Sequence, residues 1–215
     1  MMLSEKHRPR TLDQFIGNAK AVAQVRRIIE SGAGGRAYWI TGVSGIGKST
    51  LARIIAESIA EPLNIETVTG RSLSVRMIDD LCALMRFYGL GAKGGRAVIV
   101  NEAHGLGRAS IERLLDALED IRPHVCWIFT TTHDGQERLF EDQIDASPLL
   151  ARCEPVALTN QGLAQAFAPH LKRIAEAEGL DGQPVARYVR LMQDCHNSPR
   201  EALSRIQAGY MLAGG

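Results

Sequence analysis

The sequence is short of several things, and each shortage excludes a class. Its four cysteines, Cys82, Cys126, Cys153 and Cys195, stand tens of residues apart with no Cys-x-x-Cys pair. A structural zinc site and a disulfide framework are therefore both unsupported. No apolar run approaches the roughly 18 residues needed to span a membrane. The N-terminus is charged, with no apolar stretch behind it, so a secretory signal is not expected and the cytoplasm is the expected compartment. A large excess of charge of one sign is also lacking. Lys and Arg total 25 against 24 Asp and Glu, for a net charge of +1, which argues against an indiscriminate polyanion binder. There is no internal repeat and no low-complexity tract.

What is present is a globular composition over 215 residues, 45% hydrophobic and 23% charged. That is enough chain for one core domain with a small satellite. Arginine dominates the basic residues, which suits phosphate and carboxylate forks.

Apolar spacing predicts helices over 18–31, 48–60, 74–88 and 108–120. Short buried strands are expected at Ala37–Ile40, Ala97–Val100, Val125–Thr130 and Glu154–Leu158, with a further candidate at Asn64–Thr69. Strand and helix alternate, which predicts an α/β parallel sheet with helices on both faces. Beyond Leu158 only helical patterns remain, over 160–177, 183–194 and 199–212. The expected division is thus an α/β nucleotide-binding core at 1–158 and a small all-helical domain at 159–215.

Gly42-Val43-Ser44-Gly45-Ile46-Gly47-Lys48-Ser49 matches G-x-x-x-x-G-K-[ST], between an expected strand and an expected helix. The glycines let backbone N–H groups curl around a phosphate, and the following helix N-terminus adds partial positive charge. Lys48 is expected on the β- and γ-phosphates, Ser49 on Mg²⁺, and Thr50 beside the bound nucleotide. A chance Gly-rich turn would not carry this flanking pattern. ATP with Mg²⁺ is the expected cofactor pair.

Downstream, Val98-Ile99-Val100-Asn101-Glu102-Ala103-His104 reads as a buried strand ending in a polar pair. Such a pair is ordinarily Asp-Glu, with the Asp steadying Mg²⁺ and the Glu activating water. Asn101 brings no charge to the metal, so it is either a tolerated replacement or a brake on hydrolysis. Glu102 remains as general base. His104 is expected to be a surface or capping residue.

These motifs, with others in order along nearly the whole chain, resemble the AAA+ clamp-loader ATPases. Lys6-His7-Arg8-Pro9 and Phe15-Ile16-Gly17 are similar to an N-terminal box that lies against adenine, which implicates Arg8, Pro9, Ile16 and Gly17. The helix Ser110–Glu119 resembles the segment that follows the acidic pair. Trp127–Thr132 is similar to the sensor 1 strand, with Thr132 as the matching polar residue and Thr131 as the second choice. Leu150-Ala151-Arg152-Cys153 resembles a Ser-Arg-Cys motif whose Arg acts on a neighbouring subunit's γ-phosphate, although Ala151 replaces the Ser. Asn197–Leu203 is similar to sensor 2, which would place Arg200 on the γ-phosphate in cis. Taken together, the resemblance implies an oligomer of AAA+ subunits, homomeric or heteromeric. Its partners would be DNA and a sliding clamp or other replication protein. The link at residues 133–150 is longer than that family's usual one, and the family's helical collar is not expected within these residues.

Two other functions stand beside this one. Asn101 favours an ATP-binding structural or regulatory subunit with little hydrolysis. A small-molecule P-loop kinase would fit the length, but not the helical C-terminal part. Arg71, Arg76, Lys93 and Arg108 are basic candidates for DNA contact, but solvated surface charge is the better reading of each.

Overall fold

The computed structural model describes residues 1–132 and 147–212. Two compact units emerge. One holds Ala23–Gly42 and Lys48–Ala157; the other holds Met1–Val22, Val43–Gly47 and Leu158–Gly215.

The first unit is built on five parallel strands: β1 (Arg36–Thr41), β2 (Ala60–Thr69), β3 (Gly95–Asn101), β4 (Val125–Thr131) and β5 (Cys153–Ala157). They lie in the order β2-β3-β4-β1-β5. Strands β3 and β4 are continuous apolar runs buried along their length, as a parallel sheet covered on both faces requires. Alternate residues face opposite ways. Ala37, Trp39, Val98, Val100, Trp127 and Phe129 form one core with Ile78, Ile111, Leu114 and Leu149. Those last four come from α1 (Val75–Leu84), α2 (Arg108–Glu119) and α3 (Ser147–Ala151). The reverse-facing residues include Tyr38, Ile40, Ile99 and Ile128, all essentially inaccessible. Helix α4 (Lys48–Ile59) packs on β2, β3 and β4 with Leu51, Ile54 and Ile55 buried.

Two elements of this unit differ from expectation, and in the second unit the helix expected over 199–212 ends at Gln207. Strand β2 begins at Ala60, directly after α4, and its pairing with β3 is irregular between Ala60 and Ile65. Its Pro62 and Leu63 are exposed at the sheet edge, so the apolar alternation begins only after them. The helix expected to reach Tyr88 ends at Leu84, and the next turns close with i→i+3 bonds at Arg86 and Phe87.

The second unit carries helices Leu163–Ala177, Val185–Asp194 and Pro199–Gln207. Ser198 caps the last of them by accepting from the Glu201 N–H, and Pro199 opens it. Asp181 ties the unit together. Its Oδ1 accepts from the Tyr188 hydroxyl at 2.6 Å, and its Oδ2 meets Lys172 Nζ at 2.6 Å. The N-terminal 22 residues belong here, not with the sheet as the division at 158 supposed. The Leu3 N–H donates to Gln207 Oε1, Lys6 and His7 both meet Glu178, and the Thr159 N–H donates to Asn18 Oδ1. Contacts this distant in sequence leave no periodic trace. Among the described residues, no helix is long and apolar enough to cross a membrane.

Candidate nucleotide-binding site

The phosphate-loop motif joins the end of β1 to the start of α4. Three of its glycines, Gly42, Gly45 and Gly47, have φ of +152°, +80° and +109°. The last two could carry no side chain. A Cβ on Gly45 would collide with Ser198 Oγ, and one on Gly47 would lie 2.8 Å from Phe15 Cζ. Ser198 and Arg200 thus flank the loop segment Val43–Gly47 on one side and Phe15 meets it at Gly47, all within the second unit. Ile46 is buried, whereas Val43 and Ser44 are exposed. Lys48 is only 7% exposed, and its Nζ donates to the Gly42 carbonyl at 2.9 Å. A buried ammonium and a glycine-shaped curl at a helix N-terminus fit a polyphosphate.

Strand ends bring the next group together. Asn101 closes β3, Thr130 and Thr131 close β4, and Val100 lies beside Phe129 in the register. Asn101 Oδ1 accepts from Ser49 Oγ at 2.9 Å and from Thr130 Oγ1 at 3.1 Å. Two hydroxyl donors on one oxygen are what a carboxylate would also receive. Among the described residues there is no cluster of three or more His, Cys, Asp or Glu side chains that could hold a metal ion. Ser49 and Asn101 together offer two neutral oxygens, so Mg²⁺ here fits only as a metal carried chiefly by phosphates and water.

Glu102 follows in the left-handed region, at φ 52° and ψ 50°. A non-glycine residue pays strain there, and such positions cluster at functional sites. The conformation turns the chain out of β3 into a 3-10 turn at Ala103–Gly105 and leaves Glu102 exposed. His104, expected as a surface or capping residue, is half-buried instead. Its Nδ1 lies 3.1 Å from Thr131 Oγ1, and its Nε2 lies 3.4 Å from Glu102 Oε2. It links the expected base to the end of β4.

Thr132, the first choice for the polar sensor, lies just past β4 and is half-buried, while Thr131 bonds His104. Thr130, which reaches Asn101, was missed. Continuing the β3–β4 register by one residue would have found it. Thr50 is buried in α4.

Arg8 pairs with Glu5 at 3.3 Å, and Pro9 and Ile16 lie in the same N-terminal segment. Gly17 packs so close to the second unit's first long helix that a Cβ would stand 2.6 Å from Leu163 Cδ1. Arg200 is exposed in the first turn of its helix.

Arg152 stands directly before β5, whose first residue, Cys153, is level with Ala37 near the start of β1. Its Nη2 meets Glu119 Oε1 at 2.6 Å, and its Nη1 donates to the Pro148 carbonyl at 3.1 Å. Cys153 is packed in the core, and burial pushes its thiol up to about 12, so it is no nucleophile. The long link at 133–150 lies outside the described residues up to 146. Of the basic candidates, Arg108 pairs with Glu112 at 3.0 Å, and Arg71, Arg76 and Lys93 are exposed.

The RuvB branch-migration subunit of Nocardioides sp. is 33% identical over 122 residues, covering 55% of this chain and 32% of that protein. DNA polymerase III subunit gamma/tau of Mycobacterium tuberculosis is 28% identical across 100% of this chain and 39% of its own length. The chain therefore spans between about a third and two fifths of the length of these two relatives. Its fold is similar to that of the Thermotoga maritima RuvB Holliday junction branch migration motor, with a TM-score of 0.69 at 24% identity, over 93% of this chain and 64% of that one. Residues 7–132 match the model of the Holliday junction DNA helicase RuvB P-loop domain. With the phosphate loop, the Asn101–Glu102 strand end and four of the five strands inside that match, the chain belongs to the RuvB P-loop domain family of AAA+ ATPases.

Proposed function

We propose that this chain hydrolyses ATP at a site shared between neighbouring AAA+ subunits and uses the cycle in a DNA transaction, of which clamp loading in replication is the leading form. One observation carries the reading. Lys48, Ser49, Asn101 and Glu102 gather at the C-terminal ends of the strands, whereas Arg152 emerges at their N-terminal ends. A six-residue strand at ~3.3 Å per residue separates the two ends by about 20 Å, beyond the reach of one side chain. This separation supports a role for Arg152 on a second subunit's phosphates and not on its own. An arginine supplied in this way is worth about 10³-fold or more in rate. ATP would lie on the phosphate loop, with Mg²⁺ held by its phosphates and Ser49. Glu102 would take the proton from the attacking water, and Arg200, beside Gly45, would contribute positive charge.

Relatedness to gamma/tau along the whole chain supports clamp loading, and relatedness to RuvB supports branch migration as the alternative transaction. A protein partner is supported by an exposed apolar run of Leu84, Phe87, Tyr88 and Leu90. The P-loop kinase reading is set aside, because the family model is that of an AAA+ domain. Asn101 supports a second reading, an ATP-binding subunit with weak turnover.

The test is complementation. Lys48→Ala and Arg152→Ala proteins, each inactive, should recover ATPase activity when mixed. Primed DNA and four-way junctions, compared as stimulants of the wild-type ATPase, separate the two transactions. Co-assembly by light scattering without recovered turnover would refute the shared site.

A further inference from the structure

The guanidinium of Arg152 is held from two sides. Glu119, the last residue of α2, takes Nη2 at 2.6 Å, and the Pro148 carbonyl in α3 takes Nη1 at 3.1 Å. These contacts fix two of the five donors of a planar fork and so fix the plane itself. The side chain is 32% exposed and Glu119 is 63% exposed, so the pair stands at the surface. It borders an open cleft of about 300 Å³ also lined by Arg36, Asp120 and Glu154.

That surrounding poses a problem for a side chain that must meet an incoming phosphate. Asp120 and Glu154 are carboxylates lining the same cleft, and Glu154 is already 3.8 Å from Arg36. A free arginine there has several negative partners and the rotamer entropy of a long side chain to lose. Glu119 removes both difficulties by choosing one rotamer in advance.

We infer that Glu119 is a positioning residue for trans catalysis: it presets the Arg152 guanidinium on the face that the next subunit's nucleotide approaches. The inference rests on the shared-site reading above. Glu119 does not touch nucleotide. It acts on the neighbour's reaction through Arg152, so its effect belongs to the subunit that lends the arginine and not to the one that binds the ATP. As an exposed pair, it contributes little to folding.

This direction makes the experiment decisive. Lys48→Ala subunits lend Arg152 but have no working loop, and Arg152→Ala subunits have the loop but lend nothing. Glu119→Ala is added to one partner at a time, and turnover of the mixture is measured against ATP. On the Lys48→Ala partner it should lower kcat roughly ten- to hundredfold with KM unchanged, the scale of a misplaced catalytic group. On the Arg152→Ala partner it should change nothing. Glu119→Gln on the lending subunit keeps an acceptor oxygen and should restore most of the rate. Melting curves of the Glu119→Ala and Glu119→Gln proteins should match the parent's. If the parent mixture recovers activity but Glu119→Ala acts equally from either side, or from neither, the positioning role is wrong and the shared site stands. If the parent mixture co-assembles and recovers nothing, the shared site itself is wrong.

Discussion

Ser49 Oγ stands 2.9 Å from Asn101 Oδ1, so the hydroxyl expected on the metal donates to an amide at a place where a carboxylate oxygen would serve equally well. Asn101→Asp should keep both hydroxyl contacts and add the missing charge. A charge-assisted contact exceeds a neutral one by about 1 kcal/mol, or roughly fivefold. The Mg²⁺ concentration for half-maximal ATPase should fall by that factor. An unchanged Mg²⁺ titration would mean that the amide is no brake.

Lys48→Ala removes the buried cation of the loop. ATP affinity measured by calorimetry should fall at least about tenfold, since hydrogen bonds to charged groups contribute about 1.5–3 kcal/mol. Retained affinity would refute the phosphate-loop assignment.

At Glu102, function and backbone preference pull apart. Glu102→Gln should preserve ATP binding and stop turnover. Glu102→Gly should stop turnover too, yet melt no lower than the parent, because glycine relieves a left-handed φ of 52°. A clear loss of Tm in the glycine variant would show that the strain had been overstated.

Gly45→Ala should destabilise the second unit and weaken ATP binding. It combines a φ of +80° with a Cβ driven into Ser198 Oγ. The left-handed conformation alone costs about 1–2 kcal/mol. Adding Ser198→Gly costs only a few tenths of a kcal/mol as a cap and clears the collision. The double variant should therefore recover part of the lost Tm, and an unchanged Tm would mean that the collision is not the cause.

Asp181 gives an acid-labile contribution. The Lys172 ammonium and then the Tyr188 hydroxyl hold its carboxyl down at about 2, below the ordinary 3.8. Its stabilisation is complete above the unfolded value and disappears as pH falls through the folded one. The Tm difference between wild type and Asp181→Asn should thus be constant from pH 7 to 5 and shrink between about pH 4 and 2. A difference that persists at pH 2 would point to packing instead of charge.

The parts legible in the sequence are those in which one residue type is the only physical solution. Gly45 and Gly47 announce the loop because nothing else fits there, and the continuous runs of β3 and β4 announce a sheet covered on both faces. Strand β2 was half visible because Pro62 and Leu63 sit at an edge, where burial imposes no alternation. The cluster at Asn101 was legible as a motif but not as a set. Thr130, not either of its two successors, reaches Asn101 through strand register, and His104 turns inward on a backbone bend that no spacing rule encodes. The grouping of residues 1–22 with the C-terminal helices was illegible, since it depends on single contacts such as Lys6 with Glu178, separated by 172 positions.

That last grouping also sets an order on biosynthesis. The sheet unit ends at Ala157, so it can close on the ribosome before the partners of Leu3, Lys6 and His7 have emerged. At about 5–20 residues per second, the leading segment waits roughly 9–34 s for Glu178, 172 positions on, and longer for Gln207. Until then Leu3, 5% exposed in the finished fold, has no pocket. A nascent chain stalled in that interval would present a closed α/β body with Leu3 uncovered. A fragment cut at residue 158 would keep that form permanently.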